Sequence, residues 1–142
     1  MPTVSAVNGG ADYCPGDVIS DITADVTGNG PWTIDFTLDG IAQSASGATS
    51  PINLGNAPGV YVITNITDAN CTDIASGTQT INVNTIPTIT LTPSDPTVCN
   101  GNDGSILVSG TGSGTVTWSG SASGTDNTAT LNYNISNLSA GS

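Results

Sequence analysis

The residues of this chain that could carry out chemistry are aspartates and cysteines. The sequence contains 11 acidic residues, all of them Asp, and 3 Cys, but no His, Lys, Arg or Glu. A Ser-His-Asp triad and catalysis by imidazole or amine are therefore excluded. A glycosidase needs two carboxyl groups about 5 to 9 Å apart in a cleft. The carboxylate pairs with the spacing of one strand face are Asp21–Asp25 and Asp35–Asp39. Because they lie opposite apolar residues, we expect them to be solvated and the chain not to be an enzyme.

Two oxygen-rich segments contain the residue types that bind calcium. The first has Asn100, Asn102 and Asp103 among glycines, and the second has Asp12 and Asp17 on either side of Cys14. Calcium prefers carboxylate and amide oxygens, but no Glu stands at the twelfth position of an EF-hand loop. The alternative for the first segment is a tight turn in which Asn and Asp side chains bond the backbone. In the second segment, Asp12 and Asp17 could be joined by Asp68 or Asp73 near a Cys14–Cys71 bridge. Calcium is the single cofactor that the residues suggest.

The three cysteines raise the question of a disulfide. Cys14 precedes a predicted strand and Cys71 follows one, so a bridge between them could close a loop of about 57 residues and stabilise the fold by roughly 4 kcal/mol. Cys99 takes the position of Cys14 in the second half of the chain and stays unpaired, with its expected partner beyond residue 142. The alternative is three free, buried thiols.

Strands must position these residues, because most strong helix formers are absent and Leu occurs only 6 times. The segment from Pro31 to Asp39 alternates apolar and polar residues, which predicts a half-buried strand. The segment from Val18 to Val26 places Val18, Ile22, Ala24 and Val26 on one face. The turn signal 28–31 joins the two segments. We therefore predict that they form an antiparallel hairpin.

The other apolar residues fall into short runs. In the first half the runs are 3–7, 50–54, 59–67 and 78–84; in the second they contain Ile89 and Leu91, Ile106 and Val108, Val116 and Trp118, and Leu131, Tyr133 and Ile135. About six or seven short strands in about 85 residues are typical of an antiparallel sandwich of the immunoglobulin-like kind.

Residues 84–87 form a predicted linker, after which the landmarks recur. Cys14 and Trp32 are matched in the second half by Cys99 and Trp118, which indicates a divergent repeat. We predict an all-β chain of two tandem immunoglobulin-like antiparallel β-sandwiches, 1–85 and 86–142, the second lacking its last strands. The aromatic residues expected in the cores, rather than as carbohydrate platforms, are Trp32, Trp118, Tyr61 and Tyr133.

The net charge of −11 and the pI near 4.1 limit the partners. With no cationic side chain, the protein has no electrostatic basis for binding nucleic acid or anionic lipid. No run reaches the roughly 18 apolar residues of a membrane span, so we expect no membrane insertion. The first residues have no signal-peptide pattern. A surface rich in Thr, Ser and Asn nevertheless predicts an extracellular location, as a piece of a larger secreted protein.

Several motifs resemble repeats of one class of surface protein. The motifs in the second half are Cys99–Ile106, Val116–Ser119 and Ile135–Gly141, and those in the first half are Cys14–Asp17, Gly28–Trp32 and Thr67–Cys71. The second half resembles the SprB-type repeat of Bacteroidetes surface adhesins, and the first half is similar to another repeat of the same large proteins. The resemblance implies a segment of a giant cell-surface or filament-forming protein used for adhesion or gliding.

We therefore expect a structural or adhesive repeat of an extracellular bacterial fibre. A sandwich without its last strands has open edges that need covering. A neighbouring copy could supply a strand by β-augmentation, with Thr3–Val7 or Ile89–Thr92 as donors. The expected partners are neighbouring copies or domains of the same protein, and surface glycans. The alternative is a glycan- or protein-binding β-sandwich module.

Overall fold

The regular elements of the protein are β-strands. The computed structural model describes residues 1–99, 101–112, 114–120, 123–126 and 132–139. The chain divides into two compact units, Met1–Asn84 and Thr85–Ser142, and each is described by itself. The part of the chain that the structure describes contains no helix long and apolar enough to cross a membrane.

The first unit is a sandwich of two sheets. Its strands are β1 (Thr3–Asn8), β2 (Asp12–Tyr13), β3 (Ile22–Thr27), β4 (Trp32–Leu38), β5 (Ile41–Gly47), β6 (Ile52–Gly55), β7 (Gly59–Thr67) and β8 (Thr72–Val83). One sheet has the order β1-β3-β6 and the other the order β2-β8-β7-β4-β5. Neighbouring strands are antiparallel except β2 and β8, which run parallel.

The core of the first unit lies between the two sheets. Ile22 and Ala24 of β3 are fully buried, as is Ile34 of β4. Tyr61 of β7 stacks on Phe36 with ring centroids 5.7 Å apart. Fully burying an aliphatic or aromatic side chain stabilises a fold by about 1.5 to 3 kcal/mol. The apolar faces predicted for β3 and β4 therefore pack into one core from the two sheets, and their burial stabilises the unit.

The predicted hairpin of β3 with β4 is wrong. β3 pairs with β1 and β6, whereas β4 pairs with β5 and β7 in the other sheet. Both strands turn their apolar faces to the same core, so the segment 28–31 crosses between sheets. Val18, predicted on the β3 face, precedes that strand and is 93% exposed.

The hairpin partner of β4 is β5, which the apolar pattern did not indicate. Leu38 pairs with Ile41 across a two-residue turn. Asp39 and Gly40 in that turn have φ angles of 50° and 81°. A type I′ turn requires positive φ at both central residues, and Asp-Gly is among the dipeptides that adopt it.

The second unit repeats part of this arrangement. Its strands are β9 (Thr88–Ser94), β10 (Gly104–Thr111), β11 (Val116–Trp118), β12 (Gly124–Asp126) and β13 (Asn132–Leu138). The sheet β13-β10-β9 corresponds to β6-β3-β1, and the hairpin β11–β12 to β4–β5. Within the described residues, no strand corresponds to β7 or β8. Leu131 lies outside those residues. The all-β immunoglobulin-like fold predicted from the sequence is confirmed by this architecture and by the likeness to known structures reported below.

Candidate interaction surface on the second unit

The sheet of the second unit has one apolar face. Residues opposite each other in antiparallel strands share a face. Val108 lies opposite Leu91 on one side and Tyr133 on the other, and Ile106 lies opposite Ile135. Ile89 is two residues from Leu91 and so lies on the same face. This face is therefore the one that would pack into a sandwich core.

Only part of this face is covered. Trp118 of the β11–β12 hairpin lies against Tyr133, with ring centroids 5.1 Å apart. Val108 is 1% exposed and Ile135 is 9% exposed. At the β9 edge, by contrast, Ile89 and Leu91 are 56% and 60% exposed. We call the surface formed by Ile89 and Leu91 on the edge strand β9 the β9 surface.

The first unit shows what covers the equivalent position. Val4 and Val7 of β1 pack against the core, and β8 lies beside β1. The Gln79 side chain of β8 donates a hydrogen bond of 2.9 Å from Nε2 to the Val7 carbonyl oxygen. Because no described strand of the second unit takes the place of β8, the β9 surface lacks the cover that β1 has.

A cleft of about 450 Å³ lies at one end of the same unit. It is formed where β9 ends, β10 begins and β13 ends. Its walls include Pro93, Asp95, Pro96, Val98, Cys99 and Leu138. The lining combines apolar carbons with a carboxylate and a thiol.

Beside this cleft, Asp103 is engaged within its own loop. Its carboxylate accepts hydrogen bonds from the Thr97 backbone N–H, at 3.1 and 3.2 Å, and from the Thr97 hydroxyl. The hydroxyl bond holds the pKa of Asp103 below its ordinary value. Asn102 is exposed, and Asn100 lies outside the described residues. These are the contacts expected of a tight turn, which was the alternative to a calcium-binding loop.

In the second calcium candidate, Asp17 is likewise hydrogen-bonded within a turn. Asp17 Oδ2 accepts a hydrogen bond of 2.8 Å from the Cys14 backbone N–H, and the Asp17 N–H donates to the Cys14 carbonyl at 3.1 Å. Asp12 lies in β2, opposite Asn82. Among the described residues, no three Asp or Cys side chains are grouped so as to hold a metal ion.

The structure corrects the predicted Cys14–Cys71 disulfide. Cys14, Cys71 and Cys99 are free and exposed. Cys71 immediately precedes β8, whereas Cys14 follows Tyr13, which pairs with Val83 at the far end of β8. At about 3.3 Å per residue a strand of this length spans about 35 Å, and a disulfide needs Cα atoms within about 7 Å. The parallel pairing of β2 with β8 therefore places the two cysteines at opposite ends of the unit.

The four aromatic residues expected in the cores have different environments. Tyr61 is buried, which raises the pKa of its phenol, and its hydroxyl donates a hydrogen bond to the Ala57 carbonyl at 3.0 Å. Trp32 is partly buried against the core. Trp118 is partly buried, but Tyr133 is 38% exposed. Tyr133 thus departs from its predicted core role, although its ring lies against Trp118.

The paired carboxylates that the sequence placed on strand faces make separate contacts. Asp21 accepts a hydrogen bond from the Asn53 amide. Asp25 accepts one from the Asn8 amide at 2.9 Å. Asp39 Oδ1 accepts one of 2.8 Å from the Val60 backbone N–H. These aspartates therefore join neighbouring strands and turns.

Asp68 has a role that the sequence analysis missed. Its Oδ1 accepts hydrogen bonds from the backbone N–H groups of Asn70 and Cys71, both at 2.8 Å, and its Oδ2 accepts one from Asn29 at 3.2 Å. The bonds from Asn70 and Cys71 lower the pKa of Asp68 most. One carboxylate thus ties the β7–β8 turn to the segment between β3 and β4. An Asp two or three residues before unpaired turn amides was the available sequence signal.

The fold and its packing define a class of protein, the immunoglobulin-like β-sandwich module. Residues 2–83 match the family model of the ninth immunoglobulin-like domain of nucleoporin pom152-like proteins. The chain belongs to this family of immunoglobulin-like domains. The match is to an immunoglobulin-like repeat and not specifically to the SprB-type repeat.

Two solved structures match over nearly the whole chain. An I-band fragment of titin is 12% identical with a TM-score of 0.57, over 96% of this chain and 56% of the fragment. Fibronectin(III)-like modules of Clostridium thermocellum CbhA are 20% identical with a TM-score of 0.35, over 96% of this chain and 78% of theirs. The titin likeness concerns the fold alone. None of the curated proteins compared with the chain matches it.

Proposed function

We propose that this immunoglobulin-like module is a structural or adhesive repeat of an extracellular bacterial fibre or giant surface adhesin. The resemblance of its motifs to SprB-type repeats supports this role. The absence of His, Lys, Arg and Glu also supports it, since the module then works through packing and strand pairing, without catalysis or a cofactor. Its partners in this proposal are neighbouring copies of the same protein outside the cell.

The observation that carries the proposal is the β9 surface. An exposed edge strand with apolar side chains is a template for pairing with another chain. β9 lies at the edge of its sheet and contains no charged residue. We propose that β9 of one copy pairs with β9 of a second copy, so that Ile89 and Leu91 of both copies become buried together.

The alternative donor, the Thr3–Val7 segment, fits this role less well. It already pairs with β3 from Thr3 to Asn8, and Val4 and Val7 pack against the core of the first unit. Its release would expose this apolar surface and break the Gln79–Val7 hydrogen bond. β9 has no such cover to lose, so pairing through β9 costs less.

The test is association of the purified chain with and without the β9 surface. The I89T/L91T variant has a β-branched residue, favourable in a strand, at both positions and removes most of the apolar area. We expect sedimentation velocity and electron microscopy to show concentration-dependent association of the wild type and a monomeric variant. The matched control is I74T, which changes a residue that is 85% exposed on β8 of the first unit.

The control should associate like the wild type. Equal loss of association in I74T and I89T/L91T would refute a specific role of β9. A wild-type chain that stays monomeric at millimolar concentration and 150 mM salt would refute self-association altogether.

A second candidate function is binding of a glycan or another protein. The observation that favours it is the exposed Tyr133 ring lying against Trp118, because an exposed tyrosine ring offers an apolar face with a polar hydroxyl at its edge. Titration with soluble polysaccharides should then change the tryptophan fluorescence, and Y133A should abolish the change. The Y13A variant, at a tyrosine of the first unit, is the control.

A further inference from the structure

The strand β5 forms an open edge of the first unit. It is the last strand of its sheet, and it pairs with β4 along its whole length without a bulge. It contains no charged residue and no Pro. The other outer strands are short or irregular, since β2 has 2 residues and register shifts interrupt the pairing of β1 and β6. Charges, Pro and bulges protect edge strands from pairing with other chains, and β5 has none of them.

The backbone groups of β5 alternate between two directions. Leu38 and Ile41 flank the two-residue turn and form a hydrogen-bonded pair. Because such pairs alternate with non-hydrogen-bonded ones, the N–H and C=O groups of Ala42, Ser44 and Ser46 point away from β4. Among the described strands, none pairs with this side of β5. β5 can therefore accept one more strand.

The outer face beside this edge contains a carboxylate in a shallow depression. The depression has a volume of about 580 Å³, and Asp35, Ala42, Ser44 and Thr64 are among the residues that line it. Asp35 lies opposite Ser44 and is partly buried. The Asp35 backbone carbonyl accepts a hydrogen bond of 3.0 Å from the Thr64 hydroxyl, but no described residue donates a hydrogen bond to its carboxylate. The depression thus contains a negative charge without a partner.

We propose that β5 binds an extended segment of a basic protein, which adds as a strand and directs a Lys or Arg side chain across Ser44 to Asp35. A residue of the added strand opposite Ser44 lies on the same face as Asp35, two strand spacings or about 10 Å away. A long cationic side chain can cross the small side chains of Ala42 and Ser44 with its charge at the far end. A second copy of this chain cannot supply that charge, because it has no Lys or Arg. The net charge of −11 also attracts a basic partner.

The inner face of β5 adds a second requirement. Ile41 is 67% exposed, and Ala45, which lies on the same face, packs against the core. Residues of the added strand on this face should therefore be apolar. The site fits a segment in which apolar and polar residues alternate around a basic residue, and it does not depend on the β9 surface.

The experiment is titration of a dye-labelled synthetic peptide with the purified chain, followed by fluorescence anisotropy. The peptide alternates Val and Thr and has Arg in place of the central Thr, and the matched peptide has Gln there. We expect D35N to weaken binding of the Arg peptide roughly five- to tenfold, because a hydrogen bond between charged groups is lost, and to leave the weaker binding of the Gln peptide unchanged. D12N removes the same charge from the opposite edge of the sheet and should change the affinity by less than about twofold.

Variants of Ser44 test the addition of a strand. S44P removes an N–H that points away from β4, which an edge strand tolerates, and it should abolish binding. S44A keeps that N–H and should bind like the wild type. A peptide methylated on the backbone nitrogen of its Arg removes the facing donor instead, so it makes the same test if S44P does not fold. The I89T/L91T variant should bind the Arg peptide like the wild type.

Three results would overturn the proposal. Equal binding of the Arg and Gln peptides, or no effect of D35N, would exclude recognition of a cation by Asp35. Binding of the methylated peptide as tight as that of the parent peptide would exclude strand addition. Association of the chain without peptide that S44P abolishes would show that β5 pairs with a second copy instead of a basic segment.

Discussion

At the scale of single residues, aspartate carboxylates accept hydrogen bonds in places where other proteins can form ion pairs. The chain has no cationic side chain, so its carboxylates are stabilised by backbone N–H groups and amides. Asp68 accepts bonds from three backbone N–H groups, and Asp103 accepts bonds from the backbone N–H and the hydroxyl of Thr97. The short side chain of Asp can reach turn amides two or three residues away, as it does at Asp68. The composition shows that the aspartates have no cationic side chain to pair with. It does not show which turns they stabilise.

Substitution of Asp68 should destabilise the first unit. D68N keeps one acceptor oxygen and loses the charge, so we expect a smaller loss than in D68A. The folded-state pKa of Asp68 is lowered from 3.8, so its stabilising contribution is present above pH 3.8 and is lost as the pH falls through the folded value. Urea unfolding of wild type and D68N from pH 7 to pH 2 should therefore converge at the acid end.

The matched control for this comparison is D12N, at an exposed aspartate of β2. Its midpoint should differ little from that of the wild type at neutral pH. A gap between wild type and D68N that is constant with pH would show that the charge of Asp68 is not what stabilises the turn.

At the scale of elements, the sequence indicated which strand faces are buried but not how strands pair. Strict alternation predicted β3 and β4 correctly because one face of each strand packs in the core. Their pairing was missed because alternation is the same for strands of one sheet and for strands of facing sheets. β5 was missed because its residues after Ile41 are small or polar and the strand is mostly exposed, although Asp39-Gly40 before it is a hairpin signal.

The candidate site could be predicted to a similar extent. Period-two spacing placed Ile89 and Leu91 on one face, and the short second half predicted an incomplete sandwich. Whether β9 is exposed depends on whether a strand lies beside it. This is seen only by comparison with the first unit, where β8 lies beside β1, the strand that corresponds to β9.

The packing of β8 beside β1 can be tested at Gly77. A Cβ at this position would lie 2.4 Å from Val7 Cγ2, so G77A should destabilise the first unit by about 1 to 3 kcal/mol through overpacking. V7A removes the methyl groups in conflict, and the double variant should lose less than the sum of the two single losses. Chemical denaturation measures all three.

Gly114 provides the control, because a Cβ there would meet nothing within 4 Å. G114A should leave the midpoint close to that of the wild type. Additive losses in the V7A/G77A variant would contradict close contact between β1 and β8.

At the scale of the whole molecule, the charge is all of one sign. A net charge of −11 makes the folded state repel itself, since compaction brings carboxylates together. In most proteins salt also weakens internal ion pairs, but here the N-terminal amine is the single cation available. Screening by salt should therefore stabilise the folded state, with no opposing loss from weakened ion pairs.

We expect the thermal midpoint at pH 7 to rise steadily from 10 to 150 mM NaCl, as the Debye length falls from about 30 to about 8 Å. At pH 2.5 most carboxylates are protonated, so the same addition should have little effect. Scanning calorimetry in the two buffers measures both. A midpoint that falls with salt at pH 7 would contradict net self-repulsion.

The parallel pairing of β2 with β8 determines how the first unit responds to pulling. Asn82 and Asn84 donate hydrogen bonds to the carbonyls of Ala11 and Tyr13, at 3.0 and 2.9 Å. The chain enters near Gly28 and leaves at Asn84, at opposite ends of the unit. Tension between these points slides β2 along β8, so both bonds are sheared together instead of being peeled apart one after the other. The first unit should therefore yield abruptly, at a force set by the simultaneous rupture of this short ladder.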